Sequence, residues 1–311
     1  LAAFNSLALL LVFLLAQAAF TSLGSPARRT FVSRILPREQ VGAGVALSHL
    51  SFQASMLAGP VLAGLIIARW GLAACYAAEA LAFCAALYGV AGLPALRPPG
   101  TKGKAGIRGI GDGMRFIAGR PALSGSFLSD LAATLLAMPV ALFPAINEAR
   151  FGGSPETLGL FLAAIAVGGV CATAASGLIT GSARPGRVQL AAAGTWGAAL
   201  AVTGLVHGLW PTLVFLALAG AGDTVAVISR GTLLQLAAPD AYRGRISAVE
   251  QVVGVGGPQL GNFRAGLVAG LATPEVALAS GGILCVLAVG GIVARNSALR
   301  DFTIRDGAPQ D

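Results

Sequence analysis

A succession of apolar stretches, each long enough to cross a bilayer as a helix, constrains this chain more than any other feature. The hydrocarbon core of a membrane takes about 20 mostly apolar residues in helical form. Read between charge clusters, prolines and glycines, the sequence offers nine such stretches, at 4–33, 42–68, 72–93, 121–147, 156–181, 188–207, 210–237, 246–271 and 275–294. Transmembrane strands would instead alternate apolar and polar residues over about 10 positions, and runs such as 7–15 and 277–294 do not. The expected fold class is therefore all-α, a polytopic helical membrane protein. Composition agrees, since 56% of residues are apolar and only 11% charged, against about 25% charged in a soluble domain. That balance excludes a soluble globule, and the apolar content excludes a disordered chain.

Charge placement sets an expected orientation. Of the 21 Lys and Arg residues, all but Arg69, Arg150, Arg230 and Arg264 fall at 28–38, 94–120, 184–187, 243–245 or beyond 294, which is one side of the predicted membrane. Retention of positive loops in the cytoplasm then places the C-terminus inside and the N-terminus outside. The excess of Arg over Lys and the Ala/Gly richness suggest a bacterium, so a multi-pass protein of its inner membrane is expected. The formal charge of +8 is explained by this asymmetry, and its scatter builds no groove for nucleic acid. The lipid bilayer is the expected environment, and a monomer the expected state.

The longest polar stretch, 94–120, is rich in Pro, Gly, Lys and Arg and reads as a cytoplasmic linker. It separates three helices in 1–93 from six in 121–294, with 295–311 as a cytoplasmic tail. A repeat runs across it. A shift of 202 positions aligns Arg28 with Arg230, Thr30 with Thr232, Pro37 with Pro239 and Gly42 with Gly244. A shift of 198 then aligns Gly59-Pro60-Val61-Leu62 with Gly257-Pro258-Gln259-Leu260. If helices one to three repeat as seven to nine, four to six lack counterparts, so nine of twelve helices are expected to be present. The odd helix number and the opening Leu1 fit lost upstream sequence.

Ionisable residues inside a bilayer cost several kcal/mol and are by default functional. The first stretch carries Ser6, Gln17, Thr21, Gly24 and Arg28 along one face, because 11 residues return to the same side of a helix. Asp130, flanked at four residues by Ser126 and Thr134, marks the fourth stretch. Asp223 and Arg230, seven apart, share a face of the seventh. The eighth offers Gln251, Gln259, Asn262 and Arg264, with Glu250 near the interface, and the third offers Glu79. The functional reading is a central path in which Asp130 or Asp223 exchanges protons while Arg28 and Arg230 supply counter-charge, lined by Gln17, Thr21, Gln259 and Asn262. The structural reading is a buried ion pair that fixes helix register. Gly59, Pro60, Gly64, Gly257 and Pro258 are the expected gating or packing positions, and Gly177-x-x-x-Gly181 and Gly266-x-x-x-Gly270 expected helix contacts.

Other chemistry is sparse. Cys75, Cys84, Cys171 and Cys285 have no C-x-x-C spacing and read as small hydrophobes. His49 and His207 are isolated, and the phosphate-binding G-x-x-x-x-G-K-[ST] pattern does not occur. No cofactor or metal is expected, and no catalytic set of an enzyme is visible.

The segments Pro26-Ala27-Arg28-Arg29 to Leu36-Pro37, Ala58-Gly59-Pro60-Val61-Leu62-Ala63-Gly64 and Gly222-Asp223 to Arg230-Gly231-Thr232-Leu233-Leu234-Gln235, with Pro239 and Arg243-Gly244-Arg245, resemble the major facilitator superfamily and in particular its enterobactin-exporter-like branch. The resemblance spans essentially the whole chain and implies a two-bundle transporter that works by alternating access. It maps a fourth-helix arginine motif to Arg28 and an antiporter Gly-Pro motif to Gly59, Pro60 and Gly64, with Ser55 and Ala63 standing where glycine is usual. The implied function is proton-coupled export of small amphiphilic molecules, a siderophore or drug. An uptake permease, a uniporter or an inactive truncated transporter are the alternatives.

Overall fold

The computed structural model describes residues 15, 41–91, 107–175, 184–237 and 239–303, and all of its regular structure is helical. The chain divides into two compact units, Leu1–Leu93 and Pro94–Asp311. Among the described residues six segments are long and apolar enough to cross a membrane: Ala58–Gly89, Pro121–Phe151, Pro155–Ala174, Pro185–Leu205, Leu209–Leu234 and Pro274–Arg295.

In the first unit one long helical run, α1 (Val41–Ala91), is interrupted at Gly71, whose φ of 78° lies in the left-handed region that glycine alone enters freely. The break falls where the sequence set the boundary between its second and third stretches. Pro60 sits inside the helix. Gly64 is buried while Gly59 is exposed, and a Cβ added at Gly59 would meet nothing within 4 Å among the described residues. The first expected stretch, 4–33, lies outside the described residues apart from Leu15.

The second unit opens with a short amphipathic helix, α2 (Ile107–Ala118), inside the region expected to be a plain linker. Its inner face packs on α8 (Asp240–Leu271): Gly113 lies against the Arg245 carbonyl, and Phe116 stacks on Tyr242 at 4.1 Å between centroids. The linker reading overlooked it because Pro, Gly, Lys and Arg dominate the sequence just before it, although Ile107, Ile110, Met114 and Ile117 recur at helical spacing.

Then follow α3 (Pro121–Ala137), a single 3₁₀ turn (Val140–Leu142), α4 (Phe143–Phe151), α5 (Pro155–Ala174), α6 (Pro185–Leu205), α7 (Leu209–Ala237), α8, α9 (Pro274–Arg295) and the one-turn α10 (Ser297–Arg300). The stretch expected as one helix over 121–147 is therefore two. Pro139 cannot donate to the helical ladder, and Asn262 on α8 accepts the freed Ala141 N–H at 3.1 Å. Prolines also open α5, α6 and α9, where a missing N–H costs nothing. Ser154 and Thr273 cap α5 and α9 by accepting from Thr157 and Val276.

Helix association in a bilayer depends on close packing, because lipid tails are as apolar as leucine. Glycines bring these helices together. Gly168 on α5 and Gly220 on α7 each lie so close to the other helix that an added Cβ would strike the carbonyl oxygens of Ala217 and Ile165. Gly197 on α6 and Gly282 on α9 interlock in the same way. Gly266 and Gly270, by contrast, meet nothing within 4 Å among the described residues of their unit. Gly177 and Gly181 lie outside the described residues. The Phe143, Phe161 and Phe151 rings meet edge to face and fill the junction of α4 and α5.

Polar clamps hold the ends of the bundle. Arg150 on α4 donates to the Thr203, Gly204 and Val206 carbonyls, which end α6, and pairs with Glu275 at 3.3 Å. At the other end Asn296 donates to the Pro121 carbonyl, and Arg187 pairs with Asp301 at 2.7 Å. Residues expected to be a free tail are thus packed, with Leu299 fully buried beside Gly125 and Gly186.

Candidate functional site

The polar centre of the second unit lies where α3, α6, α7 and α8 meet. Arg230 on α7 is 7% exposed and forms an ion pair with Asp130 on α3. Glu250 on α8 approaches the same guanidinium at 3.6 Å from its Nε. This departs from the Asp223–Arg230 pair that the structural reading of one face of α7 offered, and it gives Glu250, read from sequence only as lying near the interface, a place at the ion pair.

Asp223 lies about two turns from Arg230 on the same face of α7, and its residue is exposed on the unit. Together with Asp130 it lines a small cavity of about 10 Å³ bounded by α3, α6 and α7. Behind the cavity stands a buried amide network. Gln189 on α6, 1% exposed, accepts from Ser126 Oγ at 2.7 Å and donates to the Ser126 carbonyl at 2.9 Å and to Ser129 Oγ at 2.8 Å. Ser129 Oγ in turn donates to the Ser126 carbonyl at 2.9 Å. Every polar atom of Gln189 is engaged, so the network fixes the face of α3 that carries Asp130.

The polar stripe read on α3 thus divides its duties. Ser126 belongs to the Gln189 network, whereas Thr134 donates to the Asp130 carbonyl at 2.9 Å and packs against Gly257 on α8. Pro258 follows inside α8. Gln259 is exposed, and Asn262 serves the α3–α4 break described above. Arg264 is half-buried beside Gly281, its Nη2 3.5 Å from the Ala277 carbonyl. Glu79 is exposed on α1. Gln17, Thr21 and Arg28 lie outside the described residues.

Gln189 and Trp196 escaped the sequence reading. One signal was available for the first: it is the only amide or charged side chain in the apolar run 188–207. α8, expected as an ordinary span, forms as a helix but does not reach the hydropathy of the other six, since Asp240, Arg243, Arg245, Glu250 and Arg264 all lie within it. A helix of that composition is stable in a bilayer only where its polar side meets protein or water.

Comparison with known proteins agrees with this architecture. The sequence profile of the family described as transmembrane secretion effector matches residues 1–311. Enterobactin exporter EntS of Escherichia coli O1:K1 / APEC is 29% identical over 267 residues, and that of Shigella boydii serotype 18 is 30% identical over the same length. EntS of Escherichia coli O139:H28 is likewise 30% identical. Each alignment covers 85% of this chain and 63% of the relative, so the chain spans just under two thirds of the curated proteins it matches.

Proposed function

The chain belongs to the major facilitator superfamily, in its transmembrane secretion effector family, and from that premise we propose that it is part of a proton-coupled exporter of small amphiphilic molecules. The observation that carries the proposal is the Asp130–Arg230 pair inside the second unit, with Asp223 on the cavity that Asp130 also lines, three ionisable groups within the apolar spans. Such groups are retained in membranes when they move charge or bind it. A carboxylate responds to its surroundings, because desolvation favours its neutral form and a nearby guanidinium its charged one. Alternating access changes both, so Asp130 or Asp223 takes up a proton on one side of the membrane and releases it on the other. Arg28, from the repeat that aligns it with Arg230, supplies the matching cation in the first bundle.

Gln17, Thr21, Gln259 and Asn262 are proposed to line the substrate path, and Gly59, Pro60, Gly64, Gly257 and Pro258 to form the bends about which the bundles rock. The relatives are named for export of enterobactin, and a siderophore or an amphiphilic drug is the corresponding substrate class here. The protein works as a monomer in the bacterial inner membrane with its C-terminus in the cytoplasm.

The test uses energised inside-out membrane vesicles carrying the protein, with a fluorescent reporter of the pH gradient. Addition of enterobactin or a cationic amphiphilic dye dissipates the gradient if export is exchanged for protons. A substrate flux that leaves the pH gradient untouched assigns a uniporter, and flux in the opposite direction an uptake permease.

A further inference from the structure

Resting on the reading of Asp130 and Asp223 as the proton-exchanging groups, we infer that the cavity between them is a single-water site held by Trp196. One water there accepts the indole N–H and donates to the two carboxylates.

The cavity measures about 10 Å³, close to the smallest space that admits one water. Three alanines, Ala133, Ala193 and Ala226, line it together with the polar side chains of Ser129, Asp130, Gln189, Trp196 and Asp223. Trp196 is 6% exposed, and its Nε1 has no acceptor among the described residues. An indole nitrogen only donates, and a buried donor left unmet is costly, so the group demands an acceptor, and the cavity that Trp196 lines is a space that can hold one. Gln189 is a poor choice, because its amide already donates to Ser126 and Ser129 and its oxygen accepts from Ser126. A water fits the space, takes the indole hydrogen on its lone pair and keeps two hydrogens for carboxylates.

The charged groups around this position are Asp130 on α3, Asp223 and Arg230 on α7 and Glu250 on α8. α6 brings only Gln189 and Trp196 to it. Arg230 holds Asp130 from the side, so the water is the direct link between the two acids. A proton leaving the Asp223 carboxyl breaks one O–H bond at Asp223 and forms one at the water. The water releases a different proton to an Asp130 oxygen and is regenerated, with no other reactant. Trp196 is thereby a positioning residue whose indole fixes the water while the acids change charge.

The experiment uses the full chain in lipid nanodiscs with Trp70→Phe and Trp210→Phe, which leaves Trp196 as the single indole of the three in the sequence. A pH-jump infrared difference spectrum in ordinary and ¹⁸O-labelled water is expected to show a buried O–H stretch that shifts with the isotope and vanishes in Trp196→Phe. In vesicles, Trp196→Phe is expected to displace the pH midpoint of transport by about one unit, the size of a hydrogen bond to a charged group. If Trp196→Phe does not accumulate, Ala226→Val, which occupies the cavity and keeps the indole, carries the same expectations. An isotope-insensitive spectrum, or a variant whose pH profile overlays the parent, overturns the inference. Inactive Asp223→Asn beside an unchanged Trp196→Phe removes the water and keeps proton coupling, whereas fully active Asp223→Asn removes the coupling reading itself.

Discussion

Arg230 on α7 is paired with Asp130 on α3 and not with Asp223, its neighbour along the same helix. Seven residues bring Asp223 and Arg230 onto one face but set them about 10.5 Å apart along the axis, too far for a short aspartate to reach. The neighbouring helix offers a carboxylate at the right height, and the ion pair becomes a tie between α3 and α7.

Breaking that tie on one side strands a charge in the bundle. Asp130→Asn and Arg230→Gln are each expected to lower stability by about 3–5 kcal/mol, with Glu250 at 3.6 Å softening the first. The double variant is expected to recover much of the loss. A double-mutant cycle of unfolding in detergent reads the coupling, and strictly additive losses would show that the pair does not act as one unit.

Asp223 is exposed on its unit and carries no ion pair among the described residues, so Asp223→Asn should leave stability within about 0.5 kcal/mol of the parent. Substrate-driven collapse of the pH gradient is nonetheless expected to disappear. Retained collapse in a well-folded variant would take Asp223 out of the mechanism.

Gln189→Leu removes three hydrogen bonds in a site shielded from water and leaves the Ser126 hydroxyl without its acceptor, while Ser129 still donates to the Ser126 carbonyl. A cost of about 1–3 kcal/mol is expected. Gln189→Glu is expected to be worse, since it adds a carboxylate beside Asp130. Melting temperatures of the two variants, compared in one detergent, decide the order.

Gly220 and Gly266 make a matched pair of probes on α7 and α8. Gly220→Ala drives a methyl group into the Ile165 carbonyl and should cost about 1–3 kcal/mol by forcing α5 and α7 apart. Gly266→Ala meets nothing within 4 Å among the described residues and should gain about 0.5–1 kcal/mol from helix propensity. Equal effects at both positions would contradict the helix contacts described above.

The Asp301 carboxyl, outside the membrane spans, is held down to about 2 by hydrogen bonds first from Arg300 and then from Arg187. A depressed carboxyl stabilises the fold above its unfolded value of about 3.9 and loses that contribution as pH falls toward 2. The clamp between α10 and the start of α6 is therefore expected to persist at pH 5 and to loosen only in strong acid. Protease accessibility near residue 300, followed against pH and compared with Asp301→Asn, measures this.

Much of the site was legible because membranes penalise polar residues so heavily that few survive. Asp130, Asp223 and Arg230 stood out in apolar runs for that reason, and the Gly-Pro repeat marked Pro60 and Pro258, both of which lie inside long helices. Their partners were not legible. Spacing along one helix says which residues share a face, but Arg230 found its acid 100 positions away in sequence. Gln189 was passed over because a lone amide in an apolar helix has no local signature of its two serine partners. The amphipathic α2 was hidden by the polar composition of its surroundings, and the α3–α4 break by an apolar run that continues across Pro139.

What the sequence by itself determined is the class of structure and the family: apolar length forces helices, since a bilayer offers no other partner for backbone groups. The boundaries that glycine and proline impose, as at Gly71 and Pro185, were local and equally readable. Only the tertiary structure decided which glycines serve as contacts, which carboxylate neutralises Arg230, and that Asn262 repairs a distant helix break. Those outcomes depend on the height and rotation of one helix against another. Side-chain packing sets both, and no single helix's pattern contains them.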